Sequence, residues 1–84
     1  MARLNYVSQT KQSVTVSYAD LPPGVALAFV NDISGAKTSA TSDAVKGGSG
    51  SSDISISGLP AGEYHLLAEK DGADLARTVK FYIA

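Results

Sequence analysis

His65 is the only histidine of this 84-residue chain, and it is the side chain whose possible chemistry is easiest to name. An imidazole that a carboxylate orients can act as general base on a serine hydroxyl. Serines and aspartates are plentiful here, but no serine lies in the glycine pattern that raises a nucleophile on a strand-to-helix turn. His65 also alternates with Tyr64 and Leu66, which places it on an outer face. We therefore expect a solvated or edge-packed histidine and no enzyme, with a small hydrolase around His65 as an alternative.

Metal and phosphate chemistry have weaker signals. Six aspartates fall at predicted turns: Asp20, Asp32, Asp43, Asp53, Asp71 and Asp74. Calcium binds gathered oxygen ligands, but no D-x-[DN]-x-[DN]-G run is present and aspartate is common in turns for its own backbone bonding. The chain has no cysteine for a thiolate site, and Gly47-Gly48-Ser49-Gly50 lacks the Lys-Ser/Thr of a phosphate loop. We expect no metal and no cofactor.

Composition and charge narrow the class of partner. Seven basic and eight acidic residues give a net charge of −1 without a basic stripe, so nucleic acid is not an expected partner. No apolar run reaches the roughly 20 residues of a membrane helix, and the N-terminus has no apolar segment of a signal peptide. We expect one soluble domain over 1–84 without membrane insertion. The composition leaves its compartment open.

Short runs of alternating apolar residues, separated by Gly, Pro, Asn and Asp, predict strands and no helix. The seven predicted strands are 4–8, 13–19, 25–31, 37–42, 53–57, 63–70 and 77–83. The strand over 25–31 is apolar on both faces, which predicts a central position in its sheet. Asp71-Gly72 is a tight-hairpin signal, with pairing expected to extend only after Asp74. Together the runs predict an all-β fold, a single Greek-key sandwich of about seven antiparallel strands.

Side-chain parity predicts the core, and composition predicts one loop. The residues expected inside are Val14, Val16, Tyr18, Leu27, Phe29, Ile54, Ile56, Leu66, Val79, Phe81 and Ile83. Those expected to be more exposed are Thr15, Ser17, Ser55, His65 and Lys80. The segment 46–52 contains only Gly, Ser and Lys, so we expect a flexible loop inside the domain and not a boundary.

The most informative segment is Gly58-Leu59-Pro60-Ala61-Gly62-Glu63-Tyr64, a Gly/Pro corner between two alternating runs. It resembles the start of strand F in bacterial immunoglobulin-like and fibronectin-III-like domains. The segment 13–24 is similar to their B strand and B–C turn, and 75–83 is similar to their closing G strand. The resemblance implies that the Tyr64 hydroxyl closes a corner, formed with Gly58, Pro60 and Gly62, by bonding upstream backbone.

The same resemblance departs from antibody domains, because the chain has neither tryptophan nor the disulfide between strands B and F. Phe29, Phe81 or a tyrosine must therefore plug the space between the sheets. Such modules are appended to secreted hydrolases and surface proteins, which implies a non-catalytic part in protein or glycan interaction, or a structural spacer. The possible interaction face is His65, Lys80 and Tyr82, where an outward tyrosine could stack on a sugar or a partner.

The alternative function is a structural subunit that associates with itself through an exposed strand edge. The runs 37–42 and 4–8 carry little edge protection apart from Lys37 and Arg3. We expect a monomer or a weak homodimer. Sedimentation at several concentrations separates this alternative from the binding module, because a persistent monomer would exclude self-association.

Overall fold

The computed structural model describes residues 1–40 and 48–84, which form two antiparallel sheets and no helix. The eight strands are β1 (Arg3–Gln9), β2 (Ser13–Leu21), β3 (Ala26–Asn31), β4 (Lys37–Ser39), β5 (Gly48–Ser55), β6 (Gly62–Lys70), β7 (Ala73–Arg77) and β8 (Phe81–Ile83). One sheet has the order β1-β2-β5, and the other has the order β4-β3-β6-β7 with β8 also paired to β6. In the part of the chain described, there is no helix of the length and apolarity needed to cross a membrane.

The core lies between the two sheets and follows the predicted parity. Val14, Val16 and Ile54 are fully buried on the first sheet, and Phe29 and Leu66 are almost fully buried on the second. An aromatic group fills the space that a tryptophan could have occupied. The Phe29 and Phe81 rings meet edge to face with centroids 6.2 Å apart, and Tyr6 stacks on Phe81 at 5.4 Å.

All residues predicted for the core are buried except Tyr18 and Val79. Tyr18 is only half-buried, because it lies opposite Gly50 near the bulged end of the β2–β5 pair. A Cβ added to Gly50 would lie 3.1 Å from the Tyr18 hydroxyl oxygen, so the end of the tyrosine ring occupies the space beside the glycine while the side chain packs against the core. Val79 is 72% exposed, and the prediction that it is buried was wrong.

Val79 is exposed because the predicted last strand is split by an extra residue. Tyr64 pairs with Phe81 and Leu67 with Arg77, so two residues of β6 lie opposite three residues between β7 and β8. Such an insertion reverses the alternation of side chains beyond it. Thr78 stabilises the interruption between β7 and β8 with two hydrogen bonds to Leu66. Its N–H donates to the Leu66 carbonyl at 2.9 Å, and its hydroxyl accepts the Leu66 N–H at 3.0 Å.

The loop predicted over 46–52 is corrected in the structure for residues 48–52, which belong to β5, whereas 46 and 47 lie outside the described residues. β5 pairs with β2 from Ser13↔Ser55 to Tyr18↔Gly50. A ladder of backbone hydrogen bonds needs no apolar side chain, so a run of Gly and Ser can form it when its neighbour is a firmly anchored strand. Of the strand predicted over 37–42, residues Lys37–Ser39 form β4 and Ala40 does not, whereas 41 and 42 lie outside the described residues.

The hairpin between β6 and β7 has the predicted turn. Asp71 and Gly72 have φ values of 52° and 81°, and Lys70 pairs directly with Ala73. Positive φ at both central residues suits the right-handed twist of the strands, which is why Asp-Gly favours this turn. Pairing therefore begins at Ala73, earlier than the expected start after Asp74.

Candidate interaction face

The corner before β6 sets the position of that strand's outward side chains. The Tyr64 hydroxyl donates to the Pro60 carbonyl at 2.8 Å, and the tyrosine is 2% exposed. Upstream, the Leu59 N–H donates to the Ile56 carbonyl across a turn in which Gly58 has a φ of 84°. Such a φ at the third residue of a turn favours glycine. The chain thus enters β6 with its register fixed by both the turn and the tyrosine.

Gly62 is needed at the first position of β6. Its φ is 155°, and a Cβ there would lie 3.3 Å from the Asn31 amide nitrogen. The Asn31 side-chain oxygen in turn accepts the N–H groups of Ile33 and Ser34, each at 2.9 Å. The turn that carries Asp32 is therefore packed directly against the start of β6, which brings Asp32 to the outward face of that strand.

Three residues predicted for the interaction face, His65, Lys80 and Tyr82, lie around Glu63 on the outer face of the second sheet. Glu63 and Tyr82 are a cross-strand pair, and the Tyr82 hydroxyl donates a hydrogen bond to one Glu63 carboxylate oxygen. The other carboxylate oxygen lies 3.7 Å from the Lys80 ammonium nitrogen. One carboxylate thus holds both the aromatic ring and the cation that could contact a ligand.

His65 is tied to Asp32, whose backbone N–H donates to the Glu63 carbonyl at 2.8 Å. The His65 Nδ1 atom lies 2.6 Å from an Asp32 carboxylate oxygen, and both side chains are largely covered, with 14% and 25% exposure. Asp32 is the ring's only hydrogen-bond partner among the described residues. We call Asp32, Glu63, His65, Lys80 and Tyr82 the outer-face cluster.

Electrostatics favour a neutral Tyr82 in this cluster. The hydrogen bond to Glu63 raises the pKa of Tyr82 above its ordinary value, and the negative charge of Glu63 adds to this effect. The ring itself is 63% exposed. The cluster therefore offers an aromatic surface whose hydroxyl is already engaged, beside a lysine that is 55% exposed.

Two exposed apolar residues neighbour members of the outer-face cluster in sequence. Ile33 follows Asp32 in its turn and is 80% exposed, while Val79 precedes Lys80 and is 72% exposed. Sequence reasoning missed both, since it placed Val79 in the core and assigned no role to the turn over 32–34. The available signal for Ile33 was its position between Asp32 and Ser34, because an apolar residue in a polar turn has no core to enter.

The other end of the same outer face is closed. Ala28 and Leu67 pair with each other and are buried, although neither belongs to the core between the sheets. Lys37 lies one cross-strand row to one side of Ala28 and Leu67, and Glu69 lies one row to the other side. Their side chains form an ion pair at 3.3 Å that passes over the row between them. Among the described residues, the outer face is therefore more closed around Ala28 and Leu67 than around the outer-face cluster, which presents a mixed polar surface.

Within residues 1–40 and 48–84, no three His, Asp or Glu side chains are grouped closely enough to hold a metal ion. Among the aspartates considered for calcium, Asp32 and Asp53 are hydrogen-bonded to His65 and Thr15, and Asp43 lies outside the described residues. Comparison of the chain with protein-family profiles, curated sequences and solved structures found no match.

Proposed function

We propose that this chain is a non-catalytic immunoglobulin-like module that binds a protein or glycan partner through the outer-face cluster. The observation that carries the proposal is the arrangement around Glu63, which fixes an exposed tyrosine and an exposed lysine side by side. A preorganised aromatic and cation lose little side-chain entropy on binding, which favours their use as contact residues.

The order of strands supports the immunoglobulin-like class. When β1, β2, β3, β5 and β6 take the letters A, B, C, E and F, one sheet contains A, B and E and the other contains C and F. β7 and β8 together take the place of G beside F. β4 pairs with the C strand, as an additional strand does in variable-type domains, and not with E. The hydrogen bond from Tyr64 to Pro60 corresponds to the tyrosine corner of this class.

The composition of the surface supports a polar partner with an apolar part. Tyr82 contributes a large ring with two rotatable angles, and Ile33 and Val79, which neighbour Asp32 and Lys80 in sequence, are exposed apolar residues. Lys80 and the carboxylates of the outer-face cluster add hydrogen-bonding groups of both signs. This mixture fits a sugar ring or a short segment of protein better than an anionic polymer, because the chain's net charge is −1.

Asp32 orients His65 through Nδ1 as the carboxylate of a catalytic triad would, but no serine hydroxyl among the described residues bonds to the imidazole, which supports a structural role for His65. Asp32 occupies Nδ1 and links the turn after β3 to β6, so the pair secures the edge of the outer-face cluster. Replacing His65 with alanine tests the hydrolase alternative directly. Any hydrolytic activity that survived this change would not depend on the imidazole.

Binding is tested with immobilised glycans and with candidate partner proteins, using a double variant, Tyr82→Ala with Lys80→Ala. The matched control is Val7→Ala with Lys11→Ala, which removes an exposed apolar residue and a lysine on β1 and its turn. We expect a ligand that binds the wild type and the control to bind the Tyr82/Lys80 variant at least about tenfold more weakly. An equal loss of affinity in both variants would exclude the outer-face cluster as the binding surface. If the wild type binds none of the glycans or proteins, the spacer role remains.

A further inference from the structure

The free edges of the two sheets are protected very differently. The side of β1 away from β2 is covered by the other sheet: Gln9 Nε2 donates to the Tyr82 carbonyl at 2.7 Å, and Tyr6 stacks on Phe81. β4 is three residues long and begins with Lys37. β5 has eight residues, and no strand of the described chain pairs with the edge that faces away from β2. Of the described strands that lie at a sheet edge, β5 is the longest, and it adds a candidate edge to the runs 4–8 and 37–42 that the sequence suggested.

The hydrogen bonds of β5 alternate in a way that defines what this edge offers. The Ile56 N–H donates to the Gln12 carbonyl at 3.0 Å, in register with the β2–β5 pairs. Antiparallel pairs alternate between bonded and unbonded residues, so Ser52 and Ile54 bond to β2. The residues whose N–H and C=O groups point away from β2 are Ser49, Ser51, Asp53 and Ser55.

This edge lacks the devices that natural sheets use against pairing. The strand contains no lysine and no proline, and its single charge is Asp53. The Asp53 carboxylate accepts a hydrogen bond from the Thr15 hydroxyl at 2.5 Å, which holds it over the outer face of its own sheet and away from the edge. The small Ser and Gly side chains leave the backbone accessible to another strand.

We propose that β5 pairs in antiparallel fashion with β5 of a second copy, about a twofold axis at Ser52. This register pairs all four outward residues with their counterparts, Ser49 with Ser55 and Ser51 with Asp53. A centre at Asp53 would place the two carboxylates opposite each other, and a centre at Ser51 would set Ser55 opposite residue 47, which lies outside the described residues. In the register centred at Ser52 the single charge of each strand, Asp53, faces the uncharged Ser51 of the other copy, so a second copy of β5 meets no like charge at this edge.

The result would be a six-stranded sheet with the order β1-β2-β5-β5-β2-β1 across the two copies. Seven residues at about 3.4 Å each span about 24 Å, which is a narrow contact compared with stable interfaces of roughly 1,200 Å² or more. We expect a weak dimer that forms reversibly as concentration rises. The outer-face cluster lies on the other sheet, so it stays accessible in both copies of the dimer. Failure of the dimer would therefore not affect the proposed binding function, and failure of binding would not affect the dimer.

Cysteine crosslinking tests the register, because the chain has no cysteine of its own. At the axis, Ser52 would face its own copy in an unbonded pair with Cα atoms about 4.5 Å apart, within the range for a disulfide. Ser52→Cys is expected to form a disulfide-linked dimer at least about tenfold faster than Ser51→Cys, whose counterpart is Asp53. Equal rates for the two variants would overturn the register.

Sedimentation from roughly 10 µM to 1 mM tests the pairing itself. Ser51→Pro removes an outward N–H that the monomer does not use, and edge positions of this kind accept proline. We expect the wild type to approach dimer mass and Ser51→Pro to stay monomeric with an unchanged thermal midpoint. If that variant unfolds, Ser51→Asp replaces it, since it places a like charge opposite Asp53. A wild type that stays monomeric throughout, or a dimer that survives both changes, would disprove the proposal.

Discussion

Replacing Tyr64 with phenylalanine removes one oxygen atom from the corner and leaves the ring in place. The tyrosine is 2% exposed, and its hydroxyl donates to the Pro60 carbonyl at 2.8 Å. An intramolecular hydrogen bond contributes about 1 kcal/mol net, and about 3 kcal/mol is lost when a buried partner stays unpaired. Pro60 itself is exposed, so water can reach its carbonyl in the variant. We therefore expect a loss of about 1–2 kcal/mol of the free energy of unfolding.

The assay is equilibrium denaturation by urea together with a thermal melt. For a domain of this size, 1 kcal/mol lowers the melting temperature by about 4–8 °C. The matched control is Tyr82→Phe, which removes the same oxygen atom from a ring that is 63% exposed and hydrogen-bonded only at the surface, and it should lower the denaturant midpoint much less than Tyr64→Phe does. If Tyr64→Phe has the same denaturant midpoint as the wild type, the hydroxyl does not stabilise the corner and the reasoning fails.

Three further predictions follow from the core, from the split strand and from the outer-face cluster. Phe29→Ala should cost about 3–5 kcal/mol in denaturation, because Phe29 is 1% exposed and meets Phe81, and a loss below about 1 kcal/mol would contradict this packing. Thr78→Val should cost about 1–3 kcal/mol by leaving the Leu66 N–H without its acceptor, whereas Thr78→Ser should retain most of that stability. Ultraviolet titration should give Tyr82 a pKa above that of an exposed tyrosine, and Glu63→Gln should lower the pKa of Tyr82. An unchanged pKa in this variant would show that Glu63 does not interact with the Tyr82 hydroxyl. Because this pKa is raised on folding, its contribution to stability is present below about pH 10 and is lost as the pH rises through the folded value.

Alternation predicted most of the core, because a strand with one face buried must place every second side chain inward. This rule holds for Val14 and Val16 on β2 and for Phe81 and Ile83 on β8. It also predicted an outward position for His65 and Tyr82, which the structure shows as half-buried and exposed side chains of the second sheet. The Gly/Pro corner indicated where Tyr64 begins a strand, and turn chemistry at Asp71-Gly72 indicated the hairpin.

The rule of alternation fails where a side chain forms hydrogen bonds with the backbone of the neighbouring strand. Thr78 was read as one position in a continuous strand, but its hydroxyl and its N–H both bond to Leu66 and admit an extra residue. Nothing in the alternation of Val79 and Phe81 reveals that insertion, since both are apolar and two positions apart. The partners of His65 and Tyr82 were unpredictable for a related reason, because Asp32 is 33 residues from His65 in sequence.

β5 is a strand that side-chain alternation could not predict. Its sequence from Gly48 to Ser52 contains no apolar residue, so hydrophobic periodicity had nothing to detect and predicted a loop. The strand forms because β2 is anchored on one face by Val14 and Val16 and offers its remaining backbone groups to a neighbour. β5 in turn carries backbone groups that point away from β2, and no strand of the described chain bonds to them. A run of serine and glycine that carries no pattern of its own can thus be the place where a sheet continues.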